Sequence, residues 1–416
     1  MTHQRLPARG CSWSQVQAQM AEARKDDLPW YGPRYFKPTY FMGDDIVEVA
    51  DKAYQMYISH NLLYGTSSFP SLGRYETEVV GMLLDILNAP AGAGGNLTTG
   101  GTESNIMAVK TARDWAREHR PDAPNPQIIA PHTVHMSFDK ASQLLGVKLV
   151  TLDHSLDYRA DVKAISAAIN PNTIMLVGSA PPYAYGTVDP ISEIATLAAR
   201  HGLWMHVDCC LGGFILPFAR KLGYAIPDFD FEVPGVTSMS IDIHKYGYSA
   251  KGISALLLCQ AEFEKFRRFS VDGLTGLYST PNIAGSRSGG AVSSAWAVMR
   301  YLGEEGYLKS VKRILEIRDR FIDGIQAIDE LEVQGRPHAY QFGFGSDTLD
   351  IFAVADGMAD RGWVSGRGVE PPAILLMINA SHETSVQAYL GDLATVARDV
   401  KAGRVTRRST QQVRAN

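Results

Sequence analysis

Val236-Thr-Ser-Met-Ser-Ile-Asp-Ile-His-Lys-Tyr-Gly-Tyr-Ser-Ala-Lys-Gly-Ile-Ser-Ala-Leu-Leu-Leu-Cys259 reads as two strands joined by a turn, with Lys245 near its centre. The first strand alternates apolar and polar residues as far as Ile243, the period-two signature of a half-buried strand. The second, Ile253 to Cys259, is almost continuously apolar, and a Gly/Ser-rich turn separates the two. A lysine wedged between such strands is poorly solvated. Burial disfavours its ammonium and lowers its pKa, which is what an amine needs to attack an aldehyde cofactor and hold it as a Schiff base. A lone lysine at a strand end more simply snorkels to water. The neighbours therefore carry the decision.

Upstream of this stretch, from about 96 to 260, helix and strand patterns alternate. Helices are expected over Ser104–Glu118, Met136–Leu145, Val162–Ile169 and Ile191–Arg200. Between them fall strand patterns at 127–130, 147–152, 173–179 and 203–208. Such alternation implies an α/β fold with a mostly parallel sheet covered on both faces. Ligands of these sheets sit beyond the carboxyl ends of the strands.

The flanks read differently. Residues 1–75 form an aromatic, proline-punctuated arm with a helix at Asp44–Tyr57, and Tyr75–Leu87 is amphipathic. A Gly-rich turn region, Asp272–Gly290, leads into a long helical stretch, 291–330. Beyond it, Thr348–Val354 and Ala373–Asn379 read as short strands and Ser385–Lys401 as a closing helix. The expected division is an arm (1–75), a large domain (76–300), a small C-terminal α+β domain (301–403) and a basic, disordered tail (404–416).

Bulk properties narrow the function classes. The chain has 416 residues, 45% hydrophobic and 20% charged, enough for a large core. A formal net charge of -4 gives no footprint for nucleic acid. Cys11, Cys209, Cys210 and Cys259 make neither a CxxC pair nor a zinc spacing, so no metal is expected and a reducing cytoplasm fits. No signal peptide or membrane span is expected.

Two further constellations fall at strand ends. Gly100-Gly-Thr-Glu-Ser104 precedes a helix, whose free N–H groups suit a phosphate; the plainer alternative is an ordinary cap at Thr102. His206-Val-Asp-Cys-Cys-Leu-Gly-Gly213 ends a strand in Asp208, which would pair with a protonated pyridine nitrogen or else cap the next helix. The ordered pair Asp208 and Lys245 is more specific than either residue. His132 and His135 follow another strand, where an imidazole face could stack on an aromatic cofactor.

Taken together, Thr98-Thr-Gly-Gly-Thr-Glu-Ser104, His135-Met-Ser-Phe-Asp-Lys-Ala141, Tyr185-Gly-Thr-Val-Asp-Pro190, His206–Phe214 and His244–Gly252 resemble the group II PLP-dependent decarboxylase family, of fold type I. The resemblance spans roughly residues 40 to 380. Within the family it runs closest to the lyases of phosphorylated long-chain bases. The segments His244–Gly252 and Ser279-Thr-Pro-Asn-Ile-Ala-Gly-Ser-Arg-Ser-Gly-Gly290 carry that finer likeness.

The resemblance implies pyridoxal 5'-phosphate held by Lys245, with Asp208 at the ring nitrogen and His135 stacked on the ring. It places Gly101, Thr102 and His244 at the phosphate, with Gly285 and Ser286 reaching in from the partner of a homodimer. Tyr183 and Lys251 would line the catalytic pocket. The implied reaction is a retro-aldol cleavage of a phosphorylated long-chain amino alcohol to a fatty aldehyde and phosphoethanolamine. Two positions depart from the lyase pattern. Tyr64 stands where those enzymes carry a histidine, and a tyrosine expected near Phe41 is absent or represented by Tyr40. Both concern the substrate end, so an amino-acid decarboxylase with the same cofactor remains the alternative. A non-catalytic cofactor-binding protein would have lost Lys245 or Asp208.

Overall fold

The computed structural model describes residues 3–65, 67–274 and 276–408. At its centre is a seven-stranded sheet built from β1 (Gly94–Thr98), β2 (Gln127–Pro131), β3 (Lys148–Leu152), β4 (Thr173–Ser179), β5 (Trp204–Asp208), β6 (Ser238–Ile241) and β7 (Ser254–Leu258), in the order β1-β7-β6-β5-β4-β2-β3. Only β7 runs antiparallel, between β1 and β6. The mostly parallel α/β sheet read from the sequence is present.

Period-two side-chain alternation divides the core. Ile128 and Ala130 of β2, with Leu256 and Leu258 of β7, pack beneath the helices Gly101–His119 and Ser137–Leu145. Ile129, Leu176, Ala255 and Leu257 face the opposite layer, which includes the helix Ile191–Arg200 and the long helical stretch Gly289–Gln326, broken at Gly303 where φ is 57°. With both faces covered, polar groups at the carboxyl ends of the strands open on a cavity there.

A second, smaller sheet follows the long helix: β10 (Glu332–Val333), β11 (Gln341–Gly345), β12 (Gly366–Val369) and β13 (Pro372–Met377), in the order β10-β11-β13-β12. It lies after the hairpin β8 (Phe269–Gly273) and β9 (Gly276–Thr280), which replaces the loose turn expected at 272–290.

Three further expectations change. Thr348–Val354 is not a strand; its apolar residues belong to the helix Ile351–Asp360. Asp350 caps that helix by accepting the Phe352 and Ala353 N–H groups, and Ile351, Val354, Ala355 and Met358 recur at helical spacing and are buried. The arm contains an additional helix, Trp13–Ala23, opened by a reciprocal Ser12–Gln15 capping box, and it buries none of its residues. The tail folds back through residue 408: Arg404 pairs with Asp399, the Arg408 N–H donates to Asp356, and the Arg408 guanidinium pairs with Asp360. Its basic charge has found acidic partners. Residues 409–416 lie outside the described residues.

Candidate active site

A cavity of about 600 Å³ opens at the carboxyl edge of the large sheet. The segments after β1, β2 and β4 bring Gly101, Thr102, His135 and Tyr183 to it; β5 and the turn after β6 bring Asp208, Asp242, His244 and Lys245. Tyr40 enters from the arm, whereas Phe41 stacks on Tyr31. Of the two tyrosine possibilities left open by the sequence, the structure presents Tyr40 to the cavity.

Lys245 leaves its strand where the chain turns through Tyr248, which adopts a φ of 59°, unusual for a bulky residue. Its Nζ lies 2.9 Å from the Asp242 carboxylate, and Asp242 is buried. Burial pushes the Lys245 amine down, as expected from the sequence, but the Asp242 charge, the neighbouring Tyr40 and Cys210 and the hydrogen bond to Asp242 together outweigh it, and the net shift is upward. The expectation of a lowered pKa is therefore corrected. Burial pushes Asp242 up, and the Lys245 cation, His244 and the hydrogen bonds from Ser254 and Lys245 together more than offset this, holding the carboxyl below its usual range. Asp242 had a readable signal: in sequence Ser240, Asp242 and His244 alternate with Ile241 and Ile243, although the strand itself ends at Ile241 and Asp242 opens the turn.

The amine of Lys251 contrasts with that of Lys245. It donates to the His244 carbonyl at 3.1 Å and stands 4.4 Å from the centre of the Tyr40 ring. Burial and then the Lys245 cation bring it down to about 8. Lys251 is not among the cavity's lining residues, but it touches two that are. Tyr40, mainly through burial, is pushed up to about 12, and burial raises Tyr183 as well.

Asp208 is 6% exposed and accepts three hydrogen bonds. These come from Asn105 Nδ2 at 2.9 Å, the Cys210 N–H at 3.1 Å and the Ser240 hydroxyl at 3.2 Å. Behind it, His206 hydrogen-bonds Ser238 and is brought down to about 4 by burial, so it is neutral. His135 is exposed into the cavity, and its Nδ1 accepts the Ser137 N–H at 3.1 Å. His132 does not line the cavity. His244 accepts the Ile253 N–H on Nδ1, and burial lowers it to about 4; its proton therefore sits on Nε2.

The helix Gly101–His119 begins without a side-chain cap, so Thr102 is not the cap and Gly100 occupies the N-cap position. Glu103 instead bridges two segments. It accepts from the Thr99 N–H and hydroxyl at 2.6 and 2.7 Å and from the Ile283 N–H at 2.8 Å. This ties the expected phosphate loop to the segment carrying Gly285 and Ser286. Those two residues do not line the cavity of their own chain, and neither does Tyr64, which is 51% exposed. Ser286 and Tyr64 both bond to Asn61, whose Nδ2 donates to Ser286 Oγ and whose carbonyl accepts the Tyr64 N–H.

The donor set fits pyridoxal phosphate. A Cβ at Gly101 would lie 2.8 Å from both Asp242 oxygens and from Cys210 Sγ, so only glycine leaves the backbone in place there. The open helix N-terminus and a neutral imidazole N–H suit a phosphate, an amine suits an aldehyde, and a buried carboxylate suits a protonated ring nitrogen.

Comparison with known proteins agrees with this chemistry. The family model described as the pyridoxal-dependent decarboxylase conserved domain matches residues 7–344. The chain is 42% identical over 407 residues to a sphingosine-1-phosphate lyase of Arabidopsis thaliana, covering 95% of this chain and 74% of that one. It is 40% identical over 406 residues to the rice protein of the same name, covering 95% and 75%. The solved structure of a Burkholderia pseudomallei sphingosine-1-phosphate lyase superposes with a TM-score of 0.92 at 34% identity, over 97% of this chain and 94% of that one.

Proposed function

The chain belongs to the pyridoxal-dependent decarboxylase family, and from that membership we propose that it cleaves sphingosine 1-phosphate, or a related phosphorylated long-chain base, to a fatty aldehyde and phosphoethanolamine. The protein is a pyridoxal-phosphate-dependent lyase. The observation that carries the substrate reading is Lys251. Removing a carboxylate from an amino acid needs no base at a substrate hydroxyl, whereas retro-aldol cleavage does. Lys251, lowered to about 8 beside the cavity, is poised to be that base.

Each neighbour then has a task. Lys245 would hold the aldehyde of pyridoxal phosphate, with Asp208 available to its ring nitrogen and His135 to its ring face. Gly101, Thr102 and the His244 Nε2–H would bind its phosphate. Pyridoxal phosphate, when bound, supplies the electron sink for the bond that breaks. Neutral Lys251 takes the proton from the C3 hydroxyl of the substrate. Tyr40 and Tyr183, both raised, stay protonated at neutral pH, so they orient by donating hydrogen bonds.

The site is completed in a homodimer. Supporting this, Ser286 and Tyr64 group around Asn61 outside their own cavity, and Gly285 lies against Tyr278 of a hairpin that exposes Val271, Leu274 and Leu277. All four cysteines are free thiols, which supports a reducing cytoplasm as its location. No helix among the described residues is long and apolar enough to cross a membrane.

The test is incubation of the purified protein with sphingosine 1-phosphate, scoring long-chain aldehyde and phosphoethanolamine by mass spectrometry beside Lys245→Ala. Product from wild type alone is expected. Carbon dioxide released from an amino acid, with no aldehyde, would move the protein to the decarboxylases.

A further inference from the structure

Asn105 is 1% exposed, on the helix that opens at Gly101, and its single amide nitrogen makes two bonds. Nδ2 donates to Asp208 Oδ2 at 2.9 Å and to Ser137 Oγ at 2.9 Å. An amide nitrogen has two hydrogens, and both are used. Its Oδ1 is buried without a partner. The orientation follows from chemistry: a reversed amide would aim its oxygen at a carboxylate, acceptor against acceptor. Ser137 Oγ therefore accepts from Asn105, and its own proton turns to His135 Nδ1, 2.9 Å away, sharing that lone pair with the Ser137 N–H.

We propose that Asn105, acting with Ser137, is a positioning residue that clamps Asp208 to His135 and so holds the two groups flanking the cofactor ring in one fixed relation. Three elements meet at this amide: the end of β5, the helix Gly101–His119 and the start of the helix Ser137–Leu145. Burying an amide with its oxygen unsatisfied is costly, and the double donation to Asp208 and Ser137 offsets that cost. A residue serving only to fill space between these elements would be apolar. The proposal rests on the cofactor roles given above to Asp208 and His135.

The test is a double-mutant cycle on pyridoxal phosphate affinity, measured by absorbance titration of the full chain, with visible circular dichroism of the bound cofactor reporting ring orientation. Asn105→Ala and Ser137→Ala are each expected to weaken binding about tenfold and to reduce the visible band, the size expected when a hydrogen bond or two is lost. The double variant should lose little more than either single one, because both break the same clamp. Ser137→Thr, which keeps the hydroxyl, should bind as wild type. Single effects below twofold, losses that multiply in the double variant, or a Ser137→Thr as impaired as Ser137→Ala would each overturn the proposal. If Asn105→Ala does not fold, the Ser137→Ala and Ser137→Thr pair decides it alone. Neither readout uses substrate, so failure here leaves the lyase reading standing. Absence of aldehyde from wild-type protein that binds the cofactor would count against the lyase reading and not against the clamp.

Discussion

Lys245 and Lys251 share a turn and differ in electrostatic setting, because only Lys245 has a carboxylate within reach. A base must be neutral before it takes a proton, and Lys251 loses its proton as pH rises through about 8. Cleavage should therefore rise with pH through that value and level off above it, in a pH–rate profile of kcat. Lys251→Arg keeps the positive charge but cannot deprotonate. It is expected to lose roughly 10²–10⁴ in kcat, the usual worth of a general base, and to lose the inflection as well. An arginine variant that keeps its activity would instead assign Lys251 to the substrate phosphate. At this scale the sequence was informative where residue type and position both speak. Asp208 ends a strand and Lys245 sits in the turn just beyond one, and both reach the cavity. The protonation of Lys245 was misjudged because Asp242 was read only as part of a strand's alternation and not as a neighbouring charge.

At the scale of elements, the N-terminus of the helix Gly101–His119 does two jobs, and Gly101→Ala separates them. Alanine favours a helix over glycine by about 0.5–1 kcal/mol, so on propensity alone the change would stabilise. Here its Cβ would lie 2.8 Å from Asp242 and Cys210, pushing the first turn away from the cavity. The expected outcome is weaker pyridoxal phosphate binding in a protein whose thermal midpoint does not rise. Asp350→Ala tests the opposite kind of site. It removes the cap of the helix Ile351–Asp360, far along the chain from the cavity residues, and should cost about 1 kcal/mol of stability by denaturant midpoint without changing cofactor affinity. That helix was read as a strand because Thr348–Val354 is too short a window to separate a helical period from a buried run; the decisive Met358 lies beyond it. Six of the seven central strands were legible because turns or helices bound them; β1 was not, since its Gly-Gly-Asn-Leu-Thr sequence carries too little apolar alternation. The hairpin β8–β9 was not, since its residues are exposed and carry no core-facing alternation.

For the whole molecule, the decisive arrangement is that residues expected around one cofactor fall into two groups on one chain. Lys245, Asp208, His135 and His244 meet in the cavity, while Ser286 and Tyr64 gather around Asn61 outside it. Sequence could name both groups, but only three-dimensional placement separates them. If each cavity borrows Ser286 from a second copy, two inactive variants must rescue one another. Lys245→Ala removes the amine from its own cavity. Ser286→Glu places a negative charge where the partner's cofactor phosphate would sit. In a heterodimer of the two, one cavity carries both defects and the other carries neither. Random pairing of equal amounts makes half the dimers mixed, each with one intact site of two, so co-refolding should restore about a quarter of wild-type activity. Each variant refolded alone should remain inactive, and the restored activity should grow with protein concentration as dimers form. If Ser286 instead served its own chain, every site in every mixture would carry a defect, and no mixing ratio would recover activity.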